Sequence, residues 1–428
     1  MTWLDTTHEL VKRYVEDVRR TLRELDGKED RQENAGPITG LPQHVSLTPQ
    51  EIVTRLRPLS LVLETTDDCD SPAGICQTCP RLPEVSRARE VRCRLGRDWA
   101  PVGVDPSAVS QALDEVNAPI TVLAGGEVTL RTDILAISLK HAVERGSVVF
   151  LLTNSVDIEA KFERHRALFG NYPVFPHDNL VIQFSTEGFD DLTMACVRGE
   201  HARGRLEQAI AFVKKLGFAA TNLAANVTIN HTVARHLDKI VTYLEGVGVR
   251  WTHILPIYPT PFMDSALALT EEDRLALAED ALRLKRSGAG ILNSEGFFEF
   301  VGGAIRPLCF PLGAAVLMPQ LGHPPSEAHH AVGEGGRRHL LRCLVPGRFK
   351  PGCYYADFDD TAPNQPLGTY AELRQAIGNC PNLSSYVERS NPRCRGCYVY
   401  CTFDIPGVSE LVLARDGAAG PSRSVGHK

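Results

Sequence analysis

Six short apolar runs alternate with helix-type stretches between residues 59 and 257, and this alternation constrains the fold more than any other feature. The runs are LSLVLETT (59–66), PITVLAGG (119–126), SVVFLLTN (147–154), NLVIQFST (179–186), NLAANVTI (222–229) and RWTHILPI (250–257). Each reads as a strand of the buried type. The stretches at about 105–117, 131–145, 157–168, 204–217 and 234–247 read as helices, and a further helix is expected at 270–287. Such repetition predicts a parallel α/β sheet. In parallel sheets ligands bind at the C-terminal strand ends. Residues with useful chemistry recur there: Cys69, Gly125-Gly126-Glu127, Asn154, and Ser185 with Glu187.

The flanks read differently. Residues 1–26 carry Leu4, Leu10, Val11, Tyr14 and Val18 near helical spacing, 27–48 carry turn residues without a period, and a short helix follows at about 48–57. The expected organisation is an N-terminal helical segment and linker (1–57), the α/β unit (58–299), a small cysteine-rich extension (300–413) and a tail (414–428). Residues 300–428 hold seven of the twelve cysteines among many Gly and Pro. A loop-rich piece of that size needs a staple such as a metal.

Composition excludes several function classes. The 46 basic and 52 acidic residues give a net charge of −6, so no basic surface advertises nucleic acid. No run approaches the roughly 18 apolar residues of a membrane span. MTWLDTTHELVKRYVEDVRR is charged throughout and lacks the pattern of a secretion signal. The expected location is the cytoplasm, where thiols stay reduced. Twelve cysteines there argue for metal rather than disulfides.

DDCDSPAGICQTC (67–79) places Cys69, Cys76 and Cys79 at C-x6-C-x2-C spacing just after the first strand. Three thiolates leave one position open on a four-coordinate metal or a four-iron cluster. A structural zinc site completed by Cys93 is the alternative. The triplet's place in an α/β repeat resembles the radical S-adenosylmethionine (SAM) enzymes. In that family three cysteines after the first barrel strand hold a 4Fe-4S cluster whose open iron binds SAM. The family's usual spacing is C-x3-C-x2-C, and Thr78 here stands where an aromatic residue is common.

The resemblance extends in order along roughly 58–260. AGGEVTL (124–130) is similar to the family's GGE motif, which implies that Gly125, Gly126 and Glu127 receive the methionine ammonium. STEG (185–188) is similar to S-x-D-G with Glu for Asp, implying that Ser185 and Glu187 face the cofactor. NVTIN (226–230) puts Asn226 where ribose contacts occur, with Asn230 a weaker candidate, and VRG (197–199) echoes the family through Arg198, which is otherwise a surface charge. What the resemblance implies for the fold is a partial (β/α)6 TIM-like barrel.

NPRCRGCYVYC (391–401) gives Cys394, Cys397 and Cys401, and Cys343 and Cys353 precede it. This order resembles the SPASM and twitch extensions of radical SAM enzymes and implies one auxiliary iron–sulfur cluster held by four of the five. A structural zinc is the other reading. Cys196, Cys309 and Cys380 read as ordinary buried thiols, and His323, His329, His330 and His339 as solvated.

The resulting expectation is a radical SAM enzyme acting by hydrogen abstraction or radical addition, with SAM and a flavodoxin- or ferredoxin-type electron donor. Fewer than 60 residues precede the first strand and they lack a hairpin, which favours a small molecule or lipid precursor over a peptide. A peptide-modifying enzyme is the alternative within the class. A zinc-stapled α/β binding protein without catalysis is the alternative outside it. No residue identifies itself as a catalytic acid or hydrogen donor.

Overall fold

All six expected strands form, and they are parallel neighbours in chain order. The computed structural model describes residues 58–66, 68–71, 103–164, 178–257, 264–304, 314–319, 344–345, 347–351 and 369–378, with residues 6–7, 9–10, 12–14, 16–17 and 20 near the N-terminus. In chain order the elements begin with β1 (Ser60–Glu64), β2 (Gly103–Val104), α1 (Pro106–Val116), β3 (Ile120–Ala124), α2 (Thr132–Arg145), β4 (Val148–Thr153) and α3 (Ile158–Arg164). Then come β5 (Leu180–Thr186), α4 (Asp191–Arg198), α5 (Ala202–Lys215), β6 (Leu223–Ile229), α6 (Leu237–Val247) and β7 (Trp251–Pro256). The last are α7 (Glu271–Arg286), α8 (Glu295–Val301), β8 (Ala314–Pro319), β9 (Leu344–Val345), β10 (Gly347–Pro351) and α9 (Tyr370–Gly378).

The main sheet runs β10-β8-β1-β3-β4-β5-β6-β7. From β1 to β7 the order never reverses. Right-handed crossovers then put the helices that connect these strands on one face, as in a barrel, whereas a doubly wound sheet needs a reversal. β8 follows β7 in the chain yet pairs in parallel with β1, so the strand order closes back towards its start. The opening lies between β7 and the antiparallel edge strand β10. This is an α/β fold with a partial TIM-like barrel. β8 adds a seventh parallel strand to the six expected. It comes, like β10, from 300–413, so that stretch contributes to the barrel sheet itself.

Alternation along the strands separates two cores. Leu61, Leu63, Leu123, Leu151, Ile182, Phe184, Ala225, Val227 and Ile254 face outwards into the large cluster under the helices. Ile120, Val148, Phe150, Val181 and Ala224 face inwards, and Leu10 and Tyr14 of the N-terminal helical residues pack on them. The interior is therefore filled with apolar side chains at the N-terminal strand ends, while chemistry gathers at the other end. On the β7 side, Thr252 N–H donates to Gly290 O (2.7 Å) and Leu292 N–H to Thr252 O (2.9 Å). The fully buried Asn293 continues this pairing with its side-chain amide, accepting from Ile254 N–H (2.6 Å) and donating to Ile254 O (2.9 Å).

Helix boundaries follow local chemistry. Asp105 caps α1, accepting from Ser107 N–H at 2.7 Å with Pro106 in the first turn. α7 opens on a reciprocal Thr270–Asp273 cap and ends in Arg283, Lys285 and Arg286, signs that suit the helix dipole. Three helices were not expected: α4, α8 and, within 300–413, α9. Short α4 is fixed by an Asp190–Thr193 capping box, and α8 by the Ser294 cap. Cys196 corrects an expectation: it is exposed, because α4 turns Met194 and Val197 inwards and leaves that position on its outer side. Among the described residues no helix is long and apolar enough to cross a membrane.

Candidate active site

The C-terminal end of β1 carries Cys69 into a loop docked on the turn after β3. Gly126 N–H donates to Thr66 O (2.6 Å) and Glu127 N–H to Asp68 O (2.7 Å). Gly125 makes that approach possible. Its φ is +129°, and a Cβ there would meet Thr66 O at 2.6 Å, so a side chain would push the two loops apart. Arg131 ties down the same end of the barrel from below. Its buried guanidinium forks onto Asp133 (3.0 and 2.9 Å) and donates to Val104 O (2.9 Å).

Glu127 is 1% exposed and its carboxylate is already well supplied with donors. Oε1 accepts from Thr129 N–H (3.1 Å), Thr129 Oγ1 (2.5 Å) and Thr153 Oγ1 (2.8 Å), and Oε2 accepts from Asn154 N–H (2.7 Å). A carboxylate has about four acceptor sites. Glu127 therefore welds the end of β3 to the end of β4, and the exposed surface of the GGE turn is its backbone.

Asn154 follows β4 and reaches across to the cysteine loop. Its Nδ2 donates to Asp70 Oδ1 (3.0 Å) and to Cys69 Sγ (3.5 Å). Buried Lys161 holds Asp70 Oδ2 at 2.5 Å and Val156 O at 2.6 Å. The half-buried Cys69 thiol with an N–H donor suits a thiolate bound to metal. Cys76, Cys79 and Cys93 lie outside the described residues, as do Cys343, Cys353, Cys394, Cys397, Cys401, Cys309, Cys380 and His323, His329, His330 and His339. Among the described residues no three His, Cys, Asp or Glu side chains gather as metal donors.

Beside this loop lies a narrow cleft, lined among others by Ser71, Asn154, Ser185, Arg198 and Arg205. Ser185 lines this cleft. Glu187 does not offer a bare carboxylate: it is fully buried and gripped in a fork by Arg198, whose Nη2 donates to Oε1 at 2.6 Å and whose Nε donates to Oε2. Arg198 is accordingly no surface charge. Arg205 completes the cleft, bonding Glu200 O (2.8 Å) and Arg198 O (3.1 Å), and burial followed by the neighbouring Arg198 charge lowers its pKa from the usual value. Asn226 pairs with Ser185 in register on the inner face, and its Oδ1 lies 3.0 Å from His253 Nδ1 on β7. Asn230 instead turns into the backbone, accepting from Thr232 N–H at 2.9 Å.

No family model matches the chain, and no curated protein matches it. Solved structures do resemble it. One is Streptococcus suis SuiB bound to precursor peptide SuiA, at 14% identity and TM-score 0.41, covering 55% of this chain and 48% of that one. The chain thus spans about half the length of that protein. A second is anSMEcpe with bound AdoMet, at 15% identity and TM-score 0.40, covering 59% and 70% of the two chains. A third, Escherichia coli coproporphyrinogen III oxidase (HemN), whose structure is described as that of a radical SAM enzyme, has 13% identity and TM-score 0.36 and covers 54% and 53%. Identities this low carry no chemistry from those proteins to this one.

Arg131, Asn154, Lys161, Arg205 and His253 were not singled out as site residues from sequence. Asn154 gave a signal only by its place after a strand. The other four belong to no motif and become visible only when the strand ends converge.

Proposed function

We propose that this chain is a radical SAM enzyme. The observation that carries the reading is the docking of the Cys69 loop onto the Gly125–Glu127 turn, beside a cleft lined by Ser185 and two arginines. Cys69, Cys76 and Cys79 would hold a 4Fe-4S cluster, and the fit is supported by the half-buried Cys69 thiol and its N–H donor. When bound and reduced, the cluster would supply one electron to the sulfonium of SAM, whose C–S bond would break to methionine and a 5′-deoxyadenosyl radical capable of hydrogen abstraction or addition.

The chain's own residues bind and orient. Gly125, Gly126 and Glu127 present the turn that receives the methionine ammonium, through backbone rather than through the occupied Glu127 carboxylate. Ser185 and Arg205 fit the methionine carboxylate, with Glu187 keeping Arg198 in place behind them. Asn226, oriented by His253, serves the ribose. The inner face sets Val62, Val122 and Leu152 against Gln183, Asn226 and His253, which suits an organic substrate of mixed character, a small molecule or lipid precursor. A flavodoxin- or ferredoxin-type donor in a reducing cytoplasm supplies electrons. Four of Cys343, Cys353, Cys394, Cys397 and Cys401 hold one auxiliary iron–sulfur cluster in the SPASM/twitch-like stretch 300–413, leaving 414–428 as a tail.

Iron, zinc and acid-labile sulfide in anaerobically purified protein test this. Two four-iron clusters mean about eight irons per chain, and one cluster with a structural zinc about four irons and one zinc. Zinc without sulfide would overturn the reading and leave a zinc-stapled binding protein.

A further inference from the structure

We propose that Asn154 is a positioning residue that sets the reduction potential of the cluster at Cys69 through an N–H···S bond to that thiolate. This rests on the radical SAM reading above and assigns a role to a side chain outside the family-like motifs.

Four contacts fix the geometry. Asn154 N–H is anchored on Glu127 Oε2 at 2.7 Å. Its Oδ1 accepts from Val156 N–H at 2.8 Å, which sets the amide orientation and turns Nδ2 towards the cysteine loop. Nδ2 carries two hydrogens and has two acceptors in reach, Asp70 Oδ1 (3.0 Å) and Cys69 Sγ (3.5 Å). Asp70 is held from its other oxygen by Lys161 at 2.5 Å, so the loop cannot swing away from the amide. The backbone pays for this aim at the next residue. Ser155 sits at φ +67°, a left-handed conformation that costs a non-glycine residue on the order of 1 kcal/mol or more.

The chemistry follows from charge. A donor to a metal-bound thiolate draws electron density from the sulfur, favours the reduced cluster and raises the potential. The shift comes from the difference in this bond between the two states, since the N–H binds the more electron-rich sulfur of the reduced cluster more strongly. The same amide also occupies the Asp70 oxygen that Lys161 does not hold, so the carboxylate is tied at both oxygens. Asn154 therefore makes the cluster reducible by a donor of ordinary strength.

The test uses the full-length, iron-loaded protein in an EPR-monitored redox titration, following the signal that added SAM perturbs. Asn154→Leu keeps the branching of the side chain and removes the donor. Asn154→Thr is a second, neutral variant whose hydroxyl still accepts from Val156 N–H, in case the first fails to fold. Each is expected to lower the reduced-to-oxidised ratio at fixed potential about tenfold, equivalent to about 59 mV for a one-electron couple, with iron content and circular dichroism unchanged. An unshifted midpoint in a folded, iron-loaded variant overturns the proposal. So does loss of that cluster from a folded variant, since Asn154 would then hold the loop without tuning it. A wild-type protein with no SAM-perturbed cluster overturns the radical SAM reading as well, and that failure is read on a different sample.

Discussion

Replacing Glu127 by Ala is expected to unfold the protein more readily, before it says anything about cofactor affinity. The carboxylate accepts from four donors in a site 1% exposed. Two are hydroxyls, of Thr129 and Thr153, which can rotate towards other acceptors. The other two are backbone N–H groups, of Thr129 and Asn154, and cannot. Leaving a buried donor unpaired costs about 1–3 kcal/mol, so the two together cost about 2–6 kcal/mol. That is a large fraction of a typical domain's stability. Urea unfolding followed by circular dichroism reads it directly, as a lower midpoint at unchanged slope. Glu127→Gln should fall between, since one acceptor oxygen remains while its new NH₂ faces donors. A loss below about 1 kcal/mol in Glu127→Ala would refute the reasoning. It would be refuted most clearly if SAM affinity fell sharply at the same time, because the carboxylate would then belong to the cofactor rather than to the strands.

Two further outcomes follow from buried charge. Glu187→Gln should destabilise by about 3–5 kcal/mol in urea unfolding, because Arg198 is left as an uncompensated cation, whereas the double change Glu187→Met with Arg198→Met should recover most of the loss; equal stability of wild type and Glu187→Gln would show the ion pair to be idle. His141 is pushed below the ordinary 6.5, first by burial and then by the Arg145 charge, against the opposing pull of Asp114 and Glu144. As pH falls through about 6.5 the unfolded chain takes up this proton before the folded one, so stability is full above that pH and declines below it. Unfolding midpoints from pH 8 to pH 5 should flatten in His141→Leu, and an unchanged profile would contradict the assignment.

Much of the barrel was legible because strand burial on both faces writes an unbroken apolar run. LSLVLETT and SVVFLLTN are of this kind, and each became a strand within a residue or two of its expected ends. β8 was not legible. AAVLMP stands in a Gly/Pro-rich stretch and becomes a strand through its partner β1, a pairing across some 250 residues that no local pattern records. α4 was missed because eight residues are too short a window to show a helical period, and its start depends on the Asp190–Thr193 box. At the site, the motifs disclosed which residues sit at strand ends but not whose atoms they touch. Glu127 and Glu187 stand where expected, yet their carboxylates are taken by Thr153, Asn154 and Arg198. Partners 11 to 27 residues away in sequence are set by the curl of the sheet.

The radical SAM proposal stands on Cys69, Cys76 and Cys79 holding a redox cluster that cleaves SAM. The most direct measurement is the yield of 5′-deoxyadenosine from SAM and dithionite under anaerobic conditions, compared between wild type and the variant with all three cysteines changed to Ala. Formation is expected from wild type and none from the variant, with the C-terminal metal still bound to the variant. Equal yields from the two proteins would contradict it.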